Sequence, residues 1–274
     1  MRLALCVKRD IFGLIAARAF AGALAPHAPE MRVFCSVKTR PAENTEPLPR
    51  LLKELERDFP LDTLLPAIAS EWRSAPEALR VERWEPLLDM KPDGGAGRLL
   101  AWQPDLVVSI RFSLIFPQRV IDAVPLGIVN VHPGPLPAYR GLFTPFWQAH
   151  GGEPVLTSTL HVVAEKIDTG PVIAEHHVPR TAGRSLMWHV AELYRGGAVL
   201  AARTAAQAML GNAPRGVPQA EGGRYWRMPG AEDVAAFARG TMPVILAADY
   251  LDLLREALVP PPATGLDQRL GTAA

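Results

Sequence analysis

The chain has 274 residues and a formal net charge of +1, with 49% apolar and 21% charged residues. Its length can bury roughly 75% of the surface the unfolded chain would expose, enough for one large α/β domain or a main domain with a small appendage. The near-neutral balance, without a basic block or an acidic tail, argues against a nucleic-acid partner, and two cysteines, Cys6 and Cys35, make no disulfide framework.

Arg2 to Val7 reads as a first strand, Ile11 to Leu24 as a helix with an Ala-rich face, and Met31 to Val37 as a second strand. This order opens a strand–helix–strand unit with a parallel sheet. Cys6 and Cys35 fall in the two strands and read as buried, reduced thiols. The apolar start MRLALCV is soon interrupted by Lys8, Arg9 and Asp10, too short for a signal core or a membrane span, so a cytoplasmic protein with no membrane partner is expected. The turn VKRDIFG carries a single glycine, Gly13. A dinucleotide site needs a glycine-rich turn there so that backbone can approach a pyrophosphate, which argues against NAD and FAD.

From 38 to 76 the pattern weakens. TRPAENTEPLPR holds three prolines and reads as an excursion. LLKELERDF (51–59) is expected to be helical, Leu79 to Trp84 a strand, and Gly94 to Trp102 a helix. PDLVVSI (104–110) is then a buried strand, Phe116 to Val124 a short helix with Pro117 in its first turn, and Gly127 to His132 the next strand. Thr144 to His150 reads as a helix, and Leu156 to Val163 and Pro171 to Val178 as strands flanking AEKIDTG. Ser185 is the candidate N-cap of a long helix to Leu210, and GRYWRMP and helices over 231–239 and 244–258 follow. The expected fold class is α/β: a Rossmann-like open, mostly parallel twisted sheet with helices on both faces, plus a small C-terminal helical appendage.

The chemistry concentrates in IVNVHPGPLPAYRG (128–141). Asn130 and His132 are two apart on a strand and share a face near its carboxyl end, the edge where open α/β sheets bind ligands. Pro133 and Pro135 end the strand and stiffen the exit. Taken singly, each polar residue has an ordinary structural use: Asn130 capping a turn, His132 satisfied in the core, Asp168 capping its own Asp-Thr-Gly turn.

Three stretches taken together, PDLVVSIRFSLIFP, LGIVNVHPGPLPAYRG and TLHVVAEKIDTGPVI, resemble the formyltransferase family, whose members take a formyl group from N10-formyltetrahydrofolate. The resemblance runs from Pro104 to about Val172, and more loosely from Arg2 to the final helix. It implies a formyltransferase catalytic domain over 1–210, an appendage over 211–260 and a flexible tail over 261–274. It implies Asn130, His132 and Asp168 as the catalytic residues, N10-formyltetrahydrofolate as co-substrate, and no metal. Contacts to the folate would come from Arg111, Phe112, Ser113, Leu114, Ile115, Ala164 and Ile167. Contacts to the acceptor would come from Gly134, Leu136, Tyr139 and Arg140, with Arg140 meeting an anionic group.

The physical logic is that an N-formyl carbonyl is a poor electrophile. Donors fixed around its oxygen stabilise the charge that develops there, each worth about 2.7–4 kcal/mol. The Asn130 amide and a His132 N–H serve as donors, while Asp168 orients His132 and accepts the amine proton. This chain departs from the family where Ser113 replaces a frequent Gly, Arg111 a small residue, and Gly134-Pro135-Leu136-Pro137 a frequent Ser-Leu-Leu-Pro. His161 either borders the site or is structural. His176 and His177 face opposite ways on a strand and make no metal pair.

Methionyl-tRNA formyltransferases share the catalytic resemblance and carry a further basic domain, whereas no lysine follows Lys166 here. Phosphate contacts dominate nucleic-acid affinity, so the expected acceptor is a small-molecule amine of specialised metabolism. An amino-sugar nucleotide is slightly favoured, because YWRMP resembles the C-terminal segment of such enzymes. An amino acid such as ornithine or hydroxyornithine is the other case. A methionyl-tRNA formyltransferase-like enzyme and a catalytically inactive folate-binding protein are the alternatives, and a homodimer stays open.

Overall fold

The structure, a computed structural model, describes residues 1–27 and 29–260. The tail expected to be flexible, 261–274, lies outside the described residues. In chain order the elements are β1 (Arg2–Lys8), α1 (Ile11–Leu24), β2 (Glu30–Ser36), α2 (Ala42–Thr45), α3 (Pro47–Lys53), α4 (Leu65–Ala67), β3 (Glu85–Leu87), α5 (Gly95–Ala101), β4 (Leu106–Ile110) and α6 (Gln118–Ala123). There follow β5 (Ile128–His132), β6 (Tyr139–Gly141), α7 (Thr144–His150), β7 (Val155–Val162), β8 (Val172–Pro179), α8 (Leu186–Met209), β9 (Arg224–Trp226), α9 (Ala231–Phe237) and α10 (Ala247–Leu258).

Seven strands form one sheet in the order β3-β2-β1-β4-β5-β7-β8. Pairing is parallel from β3 to β5 and antiparallel from β5 through β7 to β8. The central strands are buried on both faces, which is why β1 and β4 are continuous apolar runs. One face packs on α1, α8 and α10, around Phe12, Phe20, Leu193 and Leu253. The other packs on α5 and α6, around Leu99, Val120 and Phe34. The strand order reverses between β1 and β4, so the crevice outside their carboxyl ends is the topological switch point. Cys6 and Cys35 are buried and unbridged, and burial pushes the Cys35 thiol up to about 12.

One expectation needs correction, and another holds with a change of helix type. Residues 79–84 are not a strand but two short 3-10 turns, Glu77–Leu79 and Val81–Arg83, closed by the Trp84 indole N–H on the Ala78 carbonyl (2.9 Å). Leu79, Val81 and Trp84 are all buried, so successive turns reproduce the apolar alternation of a strand. The helix expected over 51–59 divides into α3 and a π-helical stretch, Glu54–Leu64, with Pro60 inside it. A proline in a helix lacks the N–H for the usual ladder, and the wider turn accommodates that gap. The pair β6 and β9, which joins residues 139–141 to 224–226 in parallel, went unread in the sequence because three residues show no period.

Candidate active site

Ile128, Asn130 and His132 alternate with Val129 and Val131 along β5, and Val129 and Val131 enter the core on the α1 and α8 side. Asn130 and His132 therefore project together on the other face. Both line a cleft of about 460 Å³ at the carboxyl edge of the sheet. That size suits a small-molecule site, typically about 300–1,000 Å³. Asp168 lines the same cleft from the β7–β8 loop.

The Asn130 amide is held on two sides. Its Oδ1 accepts from Ser109 Oγ on the neighbouring β4 (2.8 Å), and its Nδ2 donates to His161 Nε2 on β7 (3.1 Å). His161 Nδ1 donates to the Val162 carbonyl (2.9 Å), so its proton sits on Nδ1 and Nε2 is free to accept. Burial, with the neighbouring His132 adding to it, pushes His161 down to about 4, so the ring is neutral at pH 7. The second Asn130 N–H has no partner among the described residues and belongs to a cleft-lining group.

His132 is oriented by backbone. Its Nε2 donates to the Tyr139 carbonyl (2.6 Å), which fixes the Nε2 proton because a carbonyl only accepts. Its Nδ1 lies 3.4 Å from Asp168 Oδ2. With Nε2 protonated, that contact is attractive only when one proton lies between imidazole and carboxylate. Asp168 Oδ1 is also 3.8 Å from His161 Nε2. The orienting role expected for Asp168 thus belongs in the first place to Tyr139 O, the shorter contact.

Gly134 packs directly behind the ring. An added Cβ would lie 2.7 Å from Tyr139 O and 3.0 Å from His132 Nε2, so any larger residue displaces the bond that orients His132.

Of the residues expected to meet the folate, Arg111, Phe112, Ser113, Leu114, Ile115 and Ile167 line the cleft and Ala164 does not. Phe112 stacks on Phe116 with ring centroids 5.3 Å apart, and Ile115 and Ile167 remain largely open. The Arg111 side chain turns away from this wall. It lies between Asp10 (2.7 Å) and Glu56, over the rings of Phe12 and Tyr194. Burial opposes its charge, but Asp10 and Glu56 outweigh that and hold it firmly protonated. Asp10 in turn caps α1, accepting from Gly13 N (2.8 Å). The start of α1 is therefore occupied by the chain's own carboxylate.

None of the four residues expected at the acceptor lines this cleft. Gly134 sits behind His132, and Leu136 is buried, with its N–H on Thr159 Oγ1 (3.3 Å). The Tyr139 phenol donates to Glu153 (2.8 Å) and its ring stacks on Trp226. Arg140 contacts the carbonyls of Asp168 and Gly222 and the Gln219 side chain. The Pro-rich loop folds back onto the protein, and its polar groups are consumed there. The wall on that side is instead made by Leu142, Phe143, Pro145, Tyr225 and Met228, with Arg40, Glu43 and Lys53 across from β2. Tyr225 is 56% exposed. Sequence reasoning missed Arg40, which stands in no motif, and Tyr225, whose YWRMP segment was noted without being placed at the cleft. Among the described residues no group of His, Cys, Asp and Glu is arranged to hold a metal ion, and no helix is long and apolar enough to cross a membrane.

An open, mostly parallel sheet with a carboxamide, an imidazole and a carboxylate lining one cleft at its carboxyl edge, and a second imidazole buried behind the carboxamide, is the framework of an α/β enzyme fold. Residues 76–188 match the family model of the formyl transferases, so the family resemblance covers that stretch. Methionyl-tRNA formyltransferase of Lysinibacillus sphaericus is 40% identical over 83 residues, 30% of this chain and 26% of that protein. Its counterpart in Koribacter versatilis is 34% identical over 125 residues, 44% of this chain and 39% of that protein. The chain thus spans well under half the length of these curated relatives. In fold it is similar to a 4-N formyltransferase from Francisella tularensis (TM-score 0.54, 18% identity, 95% of this chain and 89% of that one). It is likewise similar to a sugar N-formyltransferase from a Shewanella species (TM-score 0.55, 17% identity, 94% and 88%). HypX from Aquifex aeolicus, solved with tetrahydrofolic acid, is similar over 94% of this chain and 34% of its own (TM-score 0.55, 18% identity).

Proposed function

We propose that the chain is an N-formyltransferase that moves a formyl group from N10-formyltetrahydrofolate to the amine of a small specialised metabolite, an amino-sugar nucleotide being favoured over an amino acid such as ornithine. The observation that carries this reading is the placement of Asn130, His132 and Asp168 on one cleft, linked through the 3.4 Å His132–Asp168 contact. The folate supplies an activated formyl carbonyl when bound. The Phe112–Ile115 loop and Ile167 offer it an apolar wall and backbone polar groups. The unpartnered Asn130 N–H is the donor available to the negative charge that builds on the formyl oxygen. The His132–Asp168 pair takes the proton that the amine loses as its nitrogen bonds to the formyl carbon, and a proton is returned to N10 as the bond from N10 to that carbon breaks and tetrahydrofolate leaves.

Two features on the far wall support an acceptor with a ring and an anionic group. Tyr225 presents an open aromatic face at the cleft. Arg40 is the lining cation with no side-chain ion pair among the described residues, since Lys8 meets Glu43, Lys53 meets Asp58 and Arg111 meets Asp10 and Glu56. Arg40 takes the anionic role that the sequence assigned to Arg140. A transfer-RNA acceptor is the second reading, favoured by the names of the curated relatives.

The test is a screen of amino-sugar nucleotides, amino acids and methionyl-tRNA with N10-formyltetrahydrofolate, read as the mass gain of one formyl group. A small amine should be formylated, and Asn130→Ala should lower kcat about 10²–10³-fold with folding intact. Arg40→Gln should raise KM for the acceptor or the folate with little change in kcat. Folate binding without transfer to any amine would leave the inactive binder, and formylation of methionyl-tRNA alone would install the second reading.

A further inference from the structure

Asp168 has a positive φ of 55°, a left-handed conformation that residues other than glycine, asparagine and aspartate seldom adopt. Such a conformation persists only where the surroundings over-determine it. Three donors converge on Asp168. Gly141 N reaches its Oδ2 (3.0 Å), Arg140 Nε its carbonyl (3.1 Å), and Gln219 Nε2 the same carbonyl (3.0 Å). The other Gln219 N–H goes to the Gly170 carbonyl (2.8 Å), and Gln219 Oε1 accepts from Arg140 Nη2 (2.8 Å). Every strong valence of the Gln219 amide is thereby directed at the Asp-Thr-Gly loop or at the arginine that shares its target.

Gln219 lies beyond α8, in the segment that continues into β9, which pairs with β6 beside the Pro-rich loop. The same segment bears Tyr225 and Met228 on the cleft wall. A reach from that segment to the β7–β8 loop therefore ties the cleft's acceptor wall to its carboxylate.

We propose that Gln219, acting with Arg140, is a positioning residue that clamps the Asp168 loop so that the carboxylate faces His132. The clamp touches neither reacting group. It works by satisfying the Asp168 and Gly170 carbonyls, which water or a shifted loop would otherwise claim, and so keeps the left-handed turn in place. Its importance to turnover rests on the formyl-transfer reading given above, while the clamp itself does not.

Two variants test it. Gln219→Ala removes the clamp. Gln219→Glu retains the shape and the Arg140 contact but points acceptors at two carbonyls. Hydrogen exchange of the amides of 164–171 should quicken about tenfold or more in both, with exchange in the central strands unchanged. With an accepted amine, kcat should fall about tenfold or more while KM for the amine stays within about threefold. Unchanged exchange in the loop would overturn the proposal. So would a glutamate variant that behaves like the wild type, because that outcome fits space-filling and not donation. If the wild-type chain forms no formylated product at all, the formyl-transfer reading falls, and the exchange measurement still decides the clamp.

Discussion

Asn130 and His161 show how a polar side chain is held in one orientation by neutral hydrogen-bond partners. The His161 tautomer is set by the Val162 carbonyl, the Asn130 amide by His161 and Ser109, and the remaining N–H is left for the cleft. Keeping His161 neutral has a cost that pH exposes. The unfolded chain takes a proton on this ring near 6.5, whereas the folded chain resists until about 4. As pH falls through that window the unfolded state binds more protons and folding weakens, by up to about 3 kcal/mol at its foot. In His161→Gln the amide oxygen still accepts from Asn130 and nothing titrates. Urea midpoints between pH 7 and pH 4.5 should fall less steeply in that variant than in the wild type. Equal slopes would show that His161 is not the group responsible.

At the scale of elements, the longest helix depends on a distant carboxylate. Ser185 caps α8 through the Trp188 N–H, and Asp249 on α10 accepts from Ser185 N (2.6 Å), Ser185 Oγ (2.6 Å) and Arg184 (2.7 Å). Asp249 is 2% exposed, so Asp249→Ala leaves a buried N–H and hydroxyl unpaired. Equilibrium denaturation should show a loss of about 2–3 kcal/mol, larger than the loss for Ser185→Ala, about 1 kcal/mol. Ser185 was legible as a cap from the serine before an apolar run, and its partner 64 residues on was not. The same contrast runs through the site. Asn130 and His132 could be placed on one face because a strand repeats every two residues, and Asp168 could be joined to them only through a motif. That Gly134, Leu136, Tyr139 and Arg140 do not line the cleft was not legible, because a stiff loop can fold toward a cleft or away from it, and residue types do not say which. The contacts that turn this loop back, Trp226 Nε1 to Ala138 O and Arg140 to Gln219, come from nearly 80 or more positions away.

On the scale of the whole molecule, much of the stretch from 104 to 210 was readable because β4, β5 and β7 are largely buried and α8 carries a serine cap. The stretch from 38 to 90 was not, because its short turns borrow their stability from tertiary anchors. Trp72 donates to the Leu258 carbonyl (2.9 Å) and Tyr250 to the Leu55 carbonyl (2.9 Å). This stretch forms one bank of the cleft and the β7–β8 loop another, so a ligand between them should stabilise the fold globally. At a hundred times its dissociation constant a reduced folate should add about 2.7 kcal/mol, seen as a rise in Tm of roughly 5–10 °C. NAD should give none. A shift with NAD and none with the folate would count against the donor proposed here.

Asp10 also limits how this scaffold can be rebuilt. It closes the amino end of α1 and, through Arg111, joins the tips of two adjacent parallel strands to Glu56. Grafting a glycine-rich phosphate grip onto that turn would remove one of the two carboxylates that hold a buried guanidinium and leave Glu56 as its remaining partner, where breaking a buried pair typically costs about 3–5 kcal/mol. An engineer, or a lineage drifting one substitution at a time, would have to replace the acid, the arginine and its second carboxylate as a set before a phosphorylated compound could settle at that corner.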